Sequence, residues 1–360
     1  MWTRRQFVQG SCGAILSALG GAPLAPGADR ESLPDGAAAK NMITPAAQQA
    51  IDQGLAYLSR CQHVDGSFGT VQHQGNIAIT SLAGLAMMAG GHHPGRGSYG
   101  DVVTKALRYV LDQNNGGYLV SRTGYSHGPM YGHGFGTLFL AEVHGMVHDK
   151  ELRERLRTTL KQAIQLIQNS QNSEGGWRYM PSSKDADVSV TICQIMALRA
   201  ARNAGFYVAK STVDRCISYV KRCQDRGDGG FHYQLHGGPS QFARSAAGVV
   251  ALHCAGVYKG PEVESGLRYL MQFKPNAESI RPDVHLHYYY GHYYAAQAMW
   301  TAGDPYWKEW YPAIREELIN HPGRPLHGCW TDQRFGYDYA TAMACIILQI
   351  PNNYLPILQK

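Results

Sequence analysis

The chain is 360 residues long, 44% hydrophobic and only 17% charged, with a formal net charge of +6. It is too apolar for a disordered protein, while its mean hydropathy of -0.30 and the absence of any uninterrupted apolar run of about 18 to 20 residues exclude a membrane-spanning bundle. No run of Lys and Arg is long enough to form a nucleic-acid groove, which leaves a well-cored globular protein with 41 glycines and an excess of tyrosine (22) over phenylalanine (9).

The first segment carries Arg4, Arg5 and Phe7, then a modest apolar stretch from Gly13 to Ala22, then small residues to Ala28. Paired arginines, apolar core and small-residue zone in that order are similar to a twin-arginine export signal. The expectation is a leader over 1–28, a linker over 29–43, a folded domain over 44–360, and an exported, periplasmic protein. Seven cysteines follow the leader and none forms a CxxC pair, so neither a zinc knuckle nor a disulfide framework is predicted.

From residue 44 onward the chain repeats. Gln62, Gly66 and Phe68 recur as Gln113, Gly116, Gly117 and Tyr118, as Gln171, Gly175, Gly176 and Trp177, and as Gln224, Gly229, Gly230 and Phe231. Gly328 and Trp330 form a degenerate copy, and a further copy has lost its glycine turn near residues 275–287. Before each turn lies an amphipathic helix such as Ala47–Arg60, with Ile51, Leu55 and Leu58 on one side. After each turn lies a more apolar helix, rich in Ala, Gly and Ser. These second helices are predicted near Asn76–Ala89, Gly134–Val147, Val188–Ala204, Phe242–Val257, Tyr288–Thr301 and Tyr339–Ile350. Six hairpins, each pairing one solvent-facing and one buried helix, predict an all-α fold: a closed α/α toroid (an α6/α6 barrel), with an open solenoid as the alternative. The glycines let the chain leave a helix sharply, the aromatics pack on the helix ends, and the glutamines are expected to cap the free carbonyls of their own helix.

The glutamine–glycine–aromatic turn resembles the QW motif of squalene and oxidosqualene cyclases, and its Gly-Gly-Phe form resembles the repeat of protein prenyltransferase β subunits. The likeness covers about residues 45–360. Together with the leader, it resembles exported bacterial proteins that carry prenyltransferase/squalene oxidase repeats. The resemblance implies a central cavity for an isoprenoid or other apolar small molecule, with the inner-helix N-termini gathered round one mouth.

Functional residues are sought at those N-termini. Asp185 and Asp187 resemble the first and central acids of the cyclase Asp-x-Asp-Asp motif, which implies a catalytic role, although Val188 stands where the last Asp belongs. Beside this stands a plain structural role for Asp187, as N-cap of the helix that follows. His127, Tyr131 and His133 lead into the second inner helix, and His287, Tyr290 and His292 lie at the start of the fifth; all are candidate ligand-binding residues. The plain alternative for the histidines is hydrogen-bonded packing. In the prenyltransferases zinc sits at corresponding helix starts. Here Gln241 to Ser245 replace two of its three ligands, so neither a metal nor another cofactor is predicted. Arg244 is a candidate grip for an anionic group. Tyr288, Tyr289, Tyr290, Tyr293 and Tyr294, with Tyr131 and Trp300, form either a cavity wall or inter-helix packing.

Three functions remain open at this point. The first is an isoprenoid-binding toroid, with or without cyclase- or transferase-like activity and with peripheral membrane contact. The second is a non-catalytic scaffold. The third is a carbohydrate-active enzyme, which would need two opposed carboxylates from among Asp185, Asp187, Asp283, Asp332 and Asp338.

Overall fold

A computed structural model describes residues 39, 41–121, 128–235, 237–275, 286–321 and 328–359. The predicted leader lies outside these residues, as do most of the linker, His127, Asp283 and nearly all of the turn expected at 275–287.

The described residues form twelve α-helices in six consecutive pairs. The first members are α1 (Pro45–Cys61), α3 (Gly100–Asp112), α5 (Lys150–Asn169), α7 (Lys210–Arg222), α9 (Pro261–Met271) and α11 (Tyr306–Ile319). The second members are α2 (Ile77–Ala89), α4 (Pro129–Val143), α6 (Val188–Asn203), α8 (Phe242–Cys254), α10 (Tyr288–Ala302) and α12 (Gly336–Gln349). A two-residue hairpin, Asn114–Asn115 with Tyr118–Leu119, is the strand pairing among the described residues.

Burial separates the two sets as the patterning requires. In α5 the buried residues Leu152, Leu156, Leu160, Ile164 and Ile167 recur every three or four positions, and the intervening charged residues face solvent. Helix α6 is buried continuously from Val190 to Ala201. The second helices pack in the order α2, α4, α6, α8, α10, α12, and α12 returns to α2. They form a closed inner ring, and the amphipathic helices surround it. The fold is therefore an α/α toroid of six hairpins.

The ring closes through specific contacts between its last and first units. Asp338 of α12 accepts from the Gly69 backbone N–H at 2.8 Å and from the Tyr57 hydroxyl at 3.3 Å. Gly328 has φ +78 and lies against α1, where a Cβ would come within 2.5 Å of Gln53. Neither contact is available to an open solenoid.

The repeated turn works differently from the sequence-based expectation. Gln62, Gln171 and Gln224 each use the side-chain amide as a bridge. Gln171 donates to Gly175 O at 2.8 Å and to Thr212 O, in the first turn of α7, at 2.9 Å. Gln62 bridges Gly66 O and Val102 O in the same way, and Gln224 bridges Gly229 O and Glu262 O. The glutamine thus joins its turn to the next outer helix instead of capping its own. The helix-end carbonyls are met by the aromatic side chain where that is an indole: Trp177 Nε1 donates to Ile167 O and Trp330 Nε1 to Leu318 O.

A second repeated device was not anticipated. The backbone N–H of four of the turn aromatics donates to a hydroxyl in the first turns of the inner helix: Phe68 to Thr80, Trp177 to Thr191, Phe231 to Ser245 and Trp330 to Thr341, all at 2.8 to 3.1 Å. A buried N–H without such a partner is costly.

Helix ends differ modestly from expectation. Helix α4 begins at Pro129 rather than Gly134, because proline at the first helical position is pre-organised for the helix. Helix α8 stops at Cys254, before Gly256 with φ +95. The seven described cysteines are free thiols, all but Cys61 buried. Among the described residues, no helix is long and apolar enough to cross a membrane.

Candidate functional site at the mouth of the ring

All six inner helices contribute their first turns to one central cavity of about 310 Å³, at the small end of ligand sites. Its deeper wall is apolar and aromatic: Ile79 and Leu82 of α2, Phe135 of α4, Tyr290 of α10, and Tyr339 and Met343 of α12. Its lip is polar and cationic, with His73, Gln241, Arg244, His287 and Arg334. Among the described residues the lining holds two arginines and no carboxylate.

The two guanidiniums are held by uncharged groups. Arg244 donates to the Gln241 side chain and to Pro239 O, and lies 5.3 Å from the centre of the Tyr233 ring. Arg334 lies 5.4 Å from the centre of the Phe335 ring. Among the described residues neither pairs with a carboxylate. His287, with φ +63 at the start of α10, is pushed toward its neutral form by burial and by the positive field of Arg334.

Asp187 lies behind this wall. Its side chain is fully buried, and Oδ1 accepts from the Val190 N–H at 2.7 Å, as an N-cap of α6. Burial raises its pKa to about 6, against the opposing pull of that N–H and of Arg178. Its other oxygen receives a hydrogen bond from Tyr233 at 3.3 Å. Asp185 is exposed at the rim, paired with Arg178 at 2.7 Å and accepting from Gln234 at 3.0 Å. The two acids do not converge on the cavity.

Tyr131, Tyr290, Arg244 and His287 line the cavity; His133 and His292 do not. His133 is fully buried; Nδ1 accepts from the Leu119 N–H at 3.2 Å, and Nε2 lies 3.3 Å from Ala163 O. It is thus the second repeat's version of the hydroxyl clamp, and burial lowers its pKa to about 4. His292 lies in the first turns of α10, enclosed by Phe242, Tyr288 and Trp310. Both belong to packing between helices rather than to a ligand surface.

The tyrosine run divides by helical face. Only Tyr290 reaches the cavity, while its hydroxyl donates to Ser189 O. Tyr288 turns outward and donates to Glu317, and Tyr293 and Tyr294 pack edge to face within the ring. Trp300, near the far end of α10, donates to Leu358 O. The wall instead gains Tyr179, Tyr233 and Tyr339. The first two stand two residues after the turn aromatics Trp177 and Phe231, and this aromatic-x-Tyr spacing was the sequence signal for them.

The other acids have local roles. Asp332 accepts from the backbone N–H groups of Arg334 and Phe335, and Asp338 sits at the ring seam. Among the described residues, no three His, Cys, Asp or Glu side chains gather as a metal site.

The family model of the prenyltransferase alpha-alpha toroid domain matches residues 36–118 and 98–279. No curated protein matches the chain by sequence. Among solved structures, the fold is similar to an inactive variant of the α-1,6-mannanase GH76A of Salegentibacter in complex with α-1,6-mannotriose, at 9% identity, over 86% of this chain and 99% of that chain, with a TM-score of 0.62. It is also similar to the type II terpene cyclase MstE from Scytonema, at 12% identity, over 87% of this chain and 100% of that one, with a TM-score of 0.56. A variant of that cyclase in complex with its substrate, geranylgeranyl dihydroxybenzoate, matches at 11% identity over 87% and 98%, with a TM-score of 0.56. At these identities the likeness is one of fold.

Proposed function

The chain belongs to the prenyltransferase alpha-alpha toroid family, and from that premise we propose that its central cavity binds an apolar, isoprenoid-like molecule bearing an anionic head group. The observation that carries this reading is the polarity of the cavity. An aromatic and aliphatic floor lies beneath a lip with two arginines that lack carboxylate partners among the described residues. An apolar tail gains from leaving water at about 25 cal/mol per Å² of buried surface, and the aromatic faces suit its double bonds. Arg244 and Arg334 match a phosphate or carboxylate, and the N-terminal ends of the inner helices add positive potential at the same lip. The geranylgeranyl dihydroxybenzoate bound by the cyclase MstE has a comparable two-part character.

Sugar hydrolysis is the weaker reading. It calls for paired carboxylates facing a sugar, and the described lining has none. Proton-initiated cyclisation on the usual plan is also weakly supported, because Asp187 is walled off and serves as a helix cap. The resemblance of residues 1–28, with Arg4, Arg5 and the apolar stretch after them, to a twin-arginine export signal supports the reading of an exported, periplasmic protein. Isothermal titration with farnesyl diphosphate and with α-1,6-mannotriose tests the reading: saturable binding of the first alone is expected, and binding of the second alone would overturn it.

A further inference from the structure

The hydroxyl groups of two phenols in the cavity wall make no hydrogen bond to Arg244 or Arg334. Tyr179 and Tyr233 both face the cavity, with their hydroxyl oxygens 2.5 Å apart. Tyr233 continues the chain inward to Asp187 Oδ2 at 3.3 Å, while Asp187 Oδ1 is occupied by the Val190 N–H. The guanidinium carbons of Arg178 and Arg244 lie 5.6 and 5.3 Å from the centre of the Tyr233 ring and help to hold it.

We propose that Tyr179, Tyr233 and Asp187 form a relay that makes this part of the wall a hydrogen-bond acceptor, a subsite for an O–H group on the ligand. The proposal rests on the reading that the cavity takes an apolar ligand, and it names a further group that the ligand carries. A phenol has one hydrogen and two lone pairs. With the carboxylate ionised, Tyr233 gives its hydrogen to Asp187 and Tyr179 gives its hydrogen to Tyr233. Tyr233 Oη then keeps one lone pair and has no hydrogen to offer. An alcohol satisfies that lone pair; an ether or ester oxygen meets it lone pair to lone pair.

The relay has a second state. If Asp187 takes one proton from solvent on Oδ2, it donates to Tyr233, and the phenol pair gains a hydrogen to present to the ligand. Burial places this protonation at about pH 6. The titratable and charged groups facing Asp187 are Arg178, Tyr233, Tyr131 of α4, Cys193 of α6, Tyr219 of α7, Cys223, Arg244 of α8 and Tyr290 of α10. Of these, the thiols and phenols stay neutral, raised by burial, so Asp187 is the member that switches.

The experiment compares farnesol with farnesyl methyl ether by calorimetry at pH 8 and pH 5. At pH 8 farnesol should bind about tenfold more tightly, the worth of one hydrogen bond against a lone-pair clash. At pH 5 the gap should close to within about twofold, because the relay then offers a hydrogen that either oxygen accepts. Asp187→Asn retains a good N-cap and gives the relay a permanent donor, so both probes should bind this variant equally at both pH values. Equal binding of the probes by the wild type at pH 8, or an unchanged gap at pH 5, overturns the relay and leaves the cavity reading standing. Failure of both probes to bind overturns both.

Discussion

Asp187 Oδ2 and Tyr233 Oη lie 3.3 Å apart across the wall of the central cavity, so that the cap of helix α6 and the lining of the cavity share one carboxyl group. This coupling has a consequence for stability. The pKa of Asp187 is raised by burial to about 6, above the value of about 3.9 expected in an unfolded chain. The folded state therefore holds the proton more tightly. The stability this group contributes is fully present below pH 4 and is lost as the pH rises through 6. Urea unfolding of Asp187→Asn between pH 4 and 7 should lack this component of the slope, whereas Asp187→Ala should also lose about 1 kcal/mol of capping at every pH.

A larger effect of the same sign is expected at Glu142. This carboxyl is buried near the end of α4, accepts from the Ile357 N–H at 3.3 Å, and is raised by burial to about 8 despite the attraction of Arg199. Its contribution is present below the unfolded value of about 4.3 and is lost as the pH climbs toward 8. Glu142→Gln should flatten the decline in melting temperature between pH 5 and 8; an unchanged decline would place its cause elsewhere.

The glycine turns are predicted to hold neighbouring units together. At Gly175, with φ +98, a Cβ would come within 2.5 Å of Arg215 O in α7. At Gly205, with φ +89, a Cβ would meet nothing within 4 Å. Gly205→Ala therefore bears only the backbone cost, about 1 kcal/mol. Gly175→Ala should cost upwards of about 3 kcal/mol, because the contact is with backbone that cannot turn aside. Chemical denaturation of the two variants measures the difference; equal losses would mean that the turn does not pack as described.

The repeat was the most legible feature of the sequence. Glutamine, glycine and aromatic recur at intervals that locate the hairpins, and the contrast between the faces of α5 and α6 assigns outer and inner rings. The roles of individual side chains were harder to read. A histidine ahead of a glycine-rich helix has the same appearance whether it faces a ligand or clamps a backbone N–H. Only the three-dimensional equivalence of His133 with Thr80, Thr191 and Ser245 separates the two. The tyrosine run left two readings open for a related reason. Successive helical residues point about 100° apart, so a cluster in sequence divides among several faces. Beside Tyr131 and Tyr290, the wall draws on Tyr179, Tyr233 and Tyr339, which are distant in sequence.

The central claim is that one cavity serves an apolar tail and an anionic head together, and calorimetry on a ligand and its two halves tests it most directly. Farnesyl diphosphate should bind at least about a hundredfold more tightly than farnesol or inorganic diphosphate alone, since joining two sites adds their free energies. The double variant Arg244→Gln, Arg334→Gln should reduce the affinity for farnesyl diphosphate to that for farnesol. Diphosphate binding as strongly as the whole ligand, or an affinity unchanged by loss of both arginines, would contradict the account.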